Sequence, residues 1–188
     1  MLIPMAKTKT LLFVLPALMG MLLLAGGCKK ILGLIHFTVS DTQSFTVPAA
    51  YPFGTAPATL PAVTVNSTAT TTYSNNNTSA KYVQDVTLQQ LTLTATSPAG
   101  QTFDLVKSVE LYISTDATGS NKVLMASLYQ VPAGATTIQL NPADQKLDLY
   151  LKGSSYALTS VVQLKQPPTQ DVVIRVDSKF NVAASLPD

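Results

Sequence analysis

Proton transfer near neutral pH needs a histidine, a pair of carboxylates or an activated nucleophile. This chain of 188 residues holds one histidine, His36, one arginine, Arg175, one glutamate, Glu110, and one cysteine, Cys28. A Ser-His-Asp triad would have to use His36, and the chain contains no nucleophile-elbow motif. Paired carboxylates of the glycosidase kind have Asp104 and Glu110 as their nearest candidates in the body. Glu110 lies between Val109 and Leu111 in a strand pattern, where a solvated charge is the ordinary reading. One histidine and one cysteine do not make the first shell of a zinc site. Asp116-Ala117-Thr118-Gly119-Ser120-Asn121 gathers oxygen donors in one turn but lacks the acidic spacing of a calcium loop. A hairpin turn explains the same residues. The expectation is a non-enzymatic chain with no catalytic residue, no metal and no cofactor.

Aromatic rings are the remaining chemical resource, because a sugar can stack on a flat exposed side chain. Tyr51 and Phe53 lie in a proline-rich stretch, and Tyr73 and Tyr82 flank an asparagine-rich one. The loops around Tyr51 and Tyr73 are therefore the candidate positions for a carbohydrate or other ligand. Tyr112, Tyr129, Tyr150 and Tyr156 fall in strand-like segments and are expected to be half-buried. Lys and Arg are not clustered and do not interleave with aromatics, so nucleic acid is not an expected partner.

The N-terminus carries the most specific pattern. Lys7 and Lys9 precede an apolar run from Leu11 to Ala25, interrupted by Pro16 and Gly20. That run is short for a helix crossing a bilayer core of ~30 Å, which needs ~20 apolar residues, and it has the layout of an export signal. It closes on Leu24-Ala25-Gly26-Gly27-Cys28, small residues leading to the single cysteine.

This order of charge, apolar run, small residues and cysteine resembles the lipobox of bacterial lipoproteins, with Ala25 where that family more often has leucine. The resemblance implies cleavage before Cys28 and a diacylglycerol on its thiol. Residues 1–27 would then be a signal peptide and 28–35 a lipid anchor and tether. A thioether is no nucleophile, so an acylated Cys28 also excludes Cys-His catalysis. Lys29 and Lys30 follow, in place of the acidic residues that mark surface export in some lipoproteins. The implied location is the cell envelope, on the outer membrane facing the periplasm or the cell surface.

Residues 36–188 read as one β-domain. Phe37/Val39 and Phe45/Val47 alternate around polar Asp41-Thr42-Gln43, which suggests two short strands or one bent one. Pro48, Pro52, Pro57 and Pro61 make 48–61 a connector, and Ala62-Val63-Thr64-Val65 reads as a brief strand. Asn66 to Ala80, rich in Thr, Ser and Asn, reads as a mobile loop. Val86/Leu88 and Leu91/Leu93/Ala95 alternate with a change of phase at Gln89-Gln90 that a β-bulge would produce. Further strands follow over Val109 to Ile113, Val123 to Tyr129, Thr136 to Leu140, Tyr156 to Lys165 and Asp171 to Val182. Asn141-Pro142-Ala143-Asp144 has the composition of a helix start and Gly153 of its end, giving one short helix near 142–152. The alternation of Leu147, Leu149 and Leu151 fits a strand as well.

Seven or eight short strands with at most one helix indicate an all-β sandwich, immunoglobulin-like as the commonest such arrangement, with a jelly roll or small barrel fitting the same spacing. Leu91-Thr92-Leu93-Thr94-Ala95-Thr96-Ser97-Pro98-Ala99-Gly100 and Lys107-Ser108-Val109-Glu110-Leu111-Tyr112-Ile113-Ser114 resemble the strand-turn patterns of uncharacterised bacterial β-sandwich lipoproteins. The formal charge of +2 belongs to the leader and tether, since from residue 31 onward 8 basic groups face 10 acidic ones. Function is thus expected to be that of a cell-envelope lipoprotein, a structural or interaction module held to the membrane by a lipid, with an envelope protein or glycan as partner. A carbohydrate- or ligand-binding accessory lipoprotein is the alternative, and a carboxylate-based hydrolase the third reading.

Overall fold

Among the described residues, alternating apolar positions on Thr/Val-rich segments give nine strands, and every pair of neighbours is antiparallel. The computed structural model describes residues 33–49 and 56–187. The leader, Cys28, most of the tether, Tyr51 and Phe53 lie outside the described residues. Leu34–Asp188 forms one contact unit.

The first strand, β1 (Ile35–Val47), is continuous across Asp41 and pairs with the last, β9 (Val172–Ala184), over thirteen unbroken positions. No turn forms at Asp41-Thr42-Gln43, because Val39, Asp41, Phe45 and Val47 keep one phase and Asp41 takes an inward position in it. β4 (Val83–Ser97) lies on the other side of β9, and the pairing shifts register between Leu88 and Gln90, where the sequence predicted a bulge. β7 (Thr137–Pro142) completes this first sheet, in the order β1-β9-β4-β7.

The second sheet runs β6 (Val123–Leu128), β5 (Val106–Ser114), β8 (Ser155–Leu164), with the short β2 (Ala58–Thr59) and β3 (Val63–Asn66) both on β8. The last residues of β7 leave β4 and pair with β6, Asn141 opposite Ser127 and Pro142 opposite Ala126, which curls one sheet into the other. The all-β sandwich expected from the sequence is therefore the fold. In detail the first strand lies beside the last instead of the second, so the order is that of a jelly roll, which the strand spacing admits alongside the immunoglobulin-like arrangement.

Two short helices correct two readings of the sequence. Asn66–Ala80 is not a loop throughout: α1 (Ala69–Asn75) buries Ala69 and Tyr73, four residues apart on one face. The Tyr73 ring packs edge-on to Phe37 at 5.9 Å, and its hydroxyl donates to the Leu151 carbonyl at 2.9 Å. The expected helix over 142–152 is a single turn, α2 (Asp148–Leu151). Asn141 and Pro142 serve the end of β7 instead, where a proline's missing N–H is tolerated. Leu147 and Leu151 are buried while Leu149 is exposed, the spacing of a helical face and not of a strand.

Between the sheets, Val39, Leu91, Leu93, Leu111, Ile113, Leu140, Tyr156 and Phe180 are almost fully buried. Phe45, Leu93, Phe103, Val109, Val162 and Ile174 are among the residues around a residual void of about 10 Å³, which has room for no ligand.

Among the described residues, one carboxylate sits in this apolar layer. Asp41 is 3% exposed and lies opposite Ser178 of β9. Its carboxylate accepts from the Ser67 hydroxyl at 2.8 Å and the Thr68 backbone N–H at 2.7 Å. It thereby satisfies the backbone N–H of Thr68, the residue before α1, whose own side chain makes no capping hydrogen bond. The Tyr156 hydroxyl, buried beside Asp41 and Ser178, has no hydrogen-bond partner among the described residues.

Asp41→Ala is expected to lower the free energy of unfolding by about 3 kcal/mol, because two charge-assisted hydrogen bonds go and their donors are stranded. Tyr156→Phe should cost clearly less, since its hydroxyl makes no hydrogen bond of good geometry. Urea unfolding of the two variants compares them directly; equal losses would contradict this assignment.

Candidate functional site

A sandwich presents two outward faces, and alternation along each strand decides which side chains line them. On β5, Val109, Leu111 and Ile113 point inward, which leaves Glu110 and Tyr112 on the outer face of the second sheet. The two outward side chains sit two residues apart, on the same side of one strand. The Tyr112 hydroxyl donates to one Glu110 oxygen at 2.8 Å. The other oxygen accepts from the Tyr129 hydroxyl at 3.0 Å, from the bend that follows β6. A single carboxylate thus bridges a ring from its own strand and a ring from the neighbouring one.

The β5–β6 ladder changes register between Leu111 and Tyr112: Leu111 faces Ala126, Tyr112 faces Leu124, and Met125 is the extra residue. Bulges increase local twist and re-aim side chains, and this one lies at Tyr112 itself. Lys122, in the turn before β6, places its ammonium 5.3 Å from the centre of the Tyr112 ring, within cation-π range. The bond to Glu110, followed by partial burial, raises the pKa of the Tyr112 hydroxyl above its ordinary value, so the proton that holds the pair together stays in place at neutral pH. Tyr129 is 60% exposed, and with Leu34 and Leu149 it is one of the large apolar side chains that the described residues leave open to solvent.

The outer face of the first sheet is built differently. Cross-strand rows of hydroxyl and amide side chains cover it, such as Thr42, Asp177, Thr92 and Gln139 in one register. Arg175 donates to Asp177 at 2.9 Å, and the Thr42 hydroxyl donates to the same carboxylate at 2.8 Å. A shallow groove of about 280 Å³ crosses this face between Ser40, Gln90 and Lys179. Its charges are largely satisfied within the sheet.

The residues singled out in the sequence are dispersed. His36 lies exposed near the start of β1, opposite Ala183. Asp104 accepts from Thr102 at 2.8 Å and from the Gly134 N–H at 2.7 Å, and these donors hold its carboxyl below the usual range. Asp104 and Glu110 share none of these partners, so each carboxylate serves its own local structure. Asp116 takes the Thr118 hydroxyl and backbone N–H, which likewise depress its pKa and make the segment the hairpin turn described above.

Of the loop tyrosines proposed for ligand contact, Tyr73 is buried in the α1 contact with Leu151 and offers no ring to solvent. Tyr82 carries the Lys81 ammonium over its ring at 4.7 Å. Tyr129, expected to be half-buried, is the exposed one, because β6 ends at Leu128 and the chain bends there. Sequence signals for this site were the lone glutamate in an alternating strand and the tyrosine two residues on. The third member, nineteen residues away, had no local signal.

No family model matches this chain, and no curated protein does. Among solved structures it is similar to one of Desmodium yellow mottle tymovirus, at 14% identity over 82% of this chain and 91% of that chain, with a TM-score of 0.27. It is also similar to a structure of Turnip Yellow Mosaic Virus, at 11% identity over 82% of this chain and 97% of that chain, with a TM-score of 0.26. At those TM-scores the likeness bears on neither fold nor function.

The tyrosines also make the packing visible in solution. Burial, then the charge of Asp41, push the Tyr73 hydroxyl up to about 12, and the same two causes raise Tyr156 further. A folded-state pKa raised above the unfolded value of about 10 contributes stability that is complete below pH 10 and is lost as pH rises toward 12. Absorbance titration near 295 nm should therefore show tyrosines that ionise only together with alkaline unfolding. Ionisation of every tyrosine by about pH 11 in a still-folded chain would contradict the burial of Tyr73 and Tyr156.

Proposed function

We propose that this chain is a lipoprotein of the bacterial cell envelope, held to the membrane through Cys28 and serving as a non-enzymatic interaction module. The observation that carries the reading is the N-terminal order: Lys7 and Lys9, the apolar run Leu11 to Ala25, Gly26-Gly27, then the single cysteine. Each buried acyl methylene contributes ~0.8 kcal/mol, so one chain anchors marginally and two or more anchor stably. Lys29 and Lys30 would add about 1 kcal/mol each beside anionic headgroups. The first strand begins at Ile35, so the sandwich follows the tether closely in sequence.

An interaction role fits a domain whose ionisable side chains are spent on its own structure. Asp41 is bonded to Ser67 and Thr68, Asp104 to Thr102 and Gly134, Asp116 to Thr118, and Asp177 to Arg175 and Thr42. The outer membrane is the location proposed, and basic instead of acidic residues after the cysteine favour its periplasmic face over the cell surface.

Cells expressing the full chain and fed an alkyne-tagged fatty acid test the reading. The wild type is expected to take up label and to partition with membranes, and Cys28→Ala to lose both the label and the cleavage that precedes it. An unlabelled wild type in a bacterial host would overturn the proposal.

A further inference from the structure

We propose that Tyr129, Tyr112 and Glu110, with Lys122 beside them, form a binding site for a neutral saccharide on the outer face of the second sheet. The site belongs to the folded domain and does not depend on the anchor at Cys28, so either proposal can fail without the other.

A pyranose offers two chemistries at once, an apolar C–H face and a rim of hydroxyl groups. Its receptor needs a flat ring held still and, at the ring's edge, acceptors and donors for the rim. Tyr129 supplies the ring. It is 60% exposed, and its hydroxyl is tied to Glu110 at 3.0 Å. A tyrosine has only two side-chain torsions, so one hydrogen bond at its tip removes most of its remaining freedom. Little ordering is then left for a ligand to impose.

Glu110 supplies the acceptors. A carboxylate has about four lone-pair positions, and the two tyrosine hydroxyls occupy one on each oxygen. Two adjacent sugar hydroxyls, each donating to a different oxygen, match what is left. Lys122 places N–H donors for sugar oxygens over the Tyr112 ring, at the Tyr112 end of the site. Alternation along β5 puts Glu110 and Tyr112 on the same outer face, and the β-bulge between Leu111 and Tyr112 adds twist at Tyr112. The anionic Glu110 disfavours phosphorylated or uronic ligands and selects neutral ones. The site differs from the loops around Tyr51 and Tyr73 that the sequence suggested.

The chain has seven tyrosines and no tryptophan, so its intrinsic emission comes from tyrosine, Tyr112 and Tyr129 among the seven, and the Tyr129 variants identify their share of any change. Full-length protein in detergent would be titrated with cellopentaose, maltopentaose and chitopentaose, and each titration repeated by calorimetry. At least one probe is expected to bind with a Kd in the range of about 0.1–1 mM. Tyr129→Ala, which removes an exposed ring and leaves the core intact, should weaken it about tenfold or more. Tyr129→Phe keeps the ring but not its tether and should lose severalfold, while Glu110→Gln should lose roughly tenfold. Unchanged melting temperatures confirm that the variants are folded. No saturation by any of the three probes at about 10 mM, or wild-type affinity in Tyr129→Ala, overturns the assignment.

Discussion

A carboxylate in an apolar layer must find donors or the layer does not form, and Asp41 imposes that condition on this fold. Leaving a buried charge without partners costs several kcal/mol, comparable to much of a small domain's net stability. Within the first sheet, Asp41 faces Ser178, and across the sandwich it lies beside Tyr156. Its donors come from a separate segment, Ser67 and Thr68 at the entry to α1. Satisfying Asp41 therefore docks α1 on β1. Tyr73 of α1 then reaches the Leu151 carbonyl at the end of α2, and the Leu147 N–H just before α2 bonds back to the Val86 carbonyl of β4. One polar requirement is relayed through both helices and returns to the sheet where it arose.

The same group bears on register. β9 carries an inward row of Val172, Ile174, Val176, Ser178, Phe180, Val182 and Ala184, and Ser178 alone in it is polar. A slip of one residue against β1 would turn the row to solvent. A slip of two would keep the hydrophobic pattern yet set Asp41 against Val176 or Phe180. Hydrophobic alternation excludes the first error, and the Asp41–Ser178 pairing disfavours the second. The open side of β1 is guarded as well: the Thr68 hydroxyl covers the Ser40 carbonyl and the Gln43 amide reaches the Thr64 carbonyl. Those contacts interrupt an edge thirteen residues long that would otherwise invite another strand.

What could be read in the sequence was what repeats locally. Strand periodicity located eight of the strands and the bulge near Gln89-Gln90, because inward and outward residues differ in type at every second position. Asp41 looked like a turn because polarity and position conflict there, and only a distant segment resolves the conflict. Ala69 to Asn75 looked like a loop because Thr and Ser dominate it. Its helix rests on two buried residues, Ala69 and Tyr73, and on an acceptor supplied by another strand. Pro142 looked like a helix start, since the residues that show it to be a strand end lie on β6. Each misreading concerns a residue whose environment is made by parts of the chain remote in sequence.

The surface follows the same division. On the first sheet the outward charges are absorbed locally: Arg175 and Thr42 both bond to Asp177, and hydroxyl rows fill the remainder. On the second sheet one carboxylate is asked to hold two rings. Tyr112 shares Glu110's strand, two residues on, while Tyr129 comes from beyond the end of β6, so the distance between the rings depends on how β5 and β6 are offset. The regular pairing of Val109 with Leu128 and Glu110 with Ser127 sets that offset, and the bulge follows at Leu111/Tyr112, where Met125 and Ala126 are both buried. Met125, fully enclosed, locks the irregular step from below. An aspartate at position 110 would be one methylene shorter and would have to choose between the two hydroxyls. The longer side chain, set on a bulged pair of strands, is what allows a solvent-facing tyrosine to be held in one orientation.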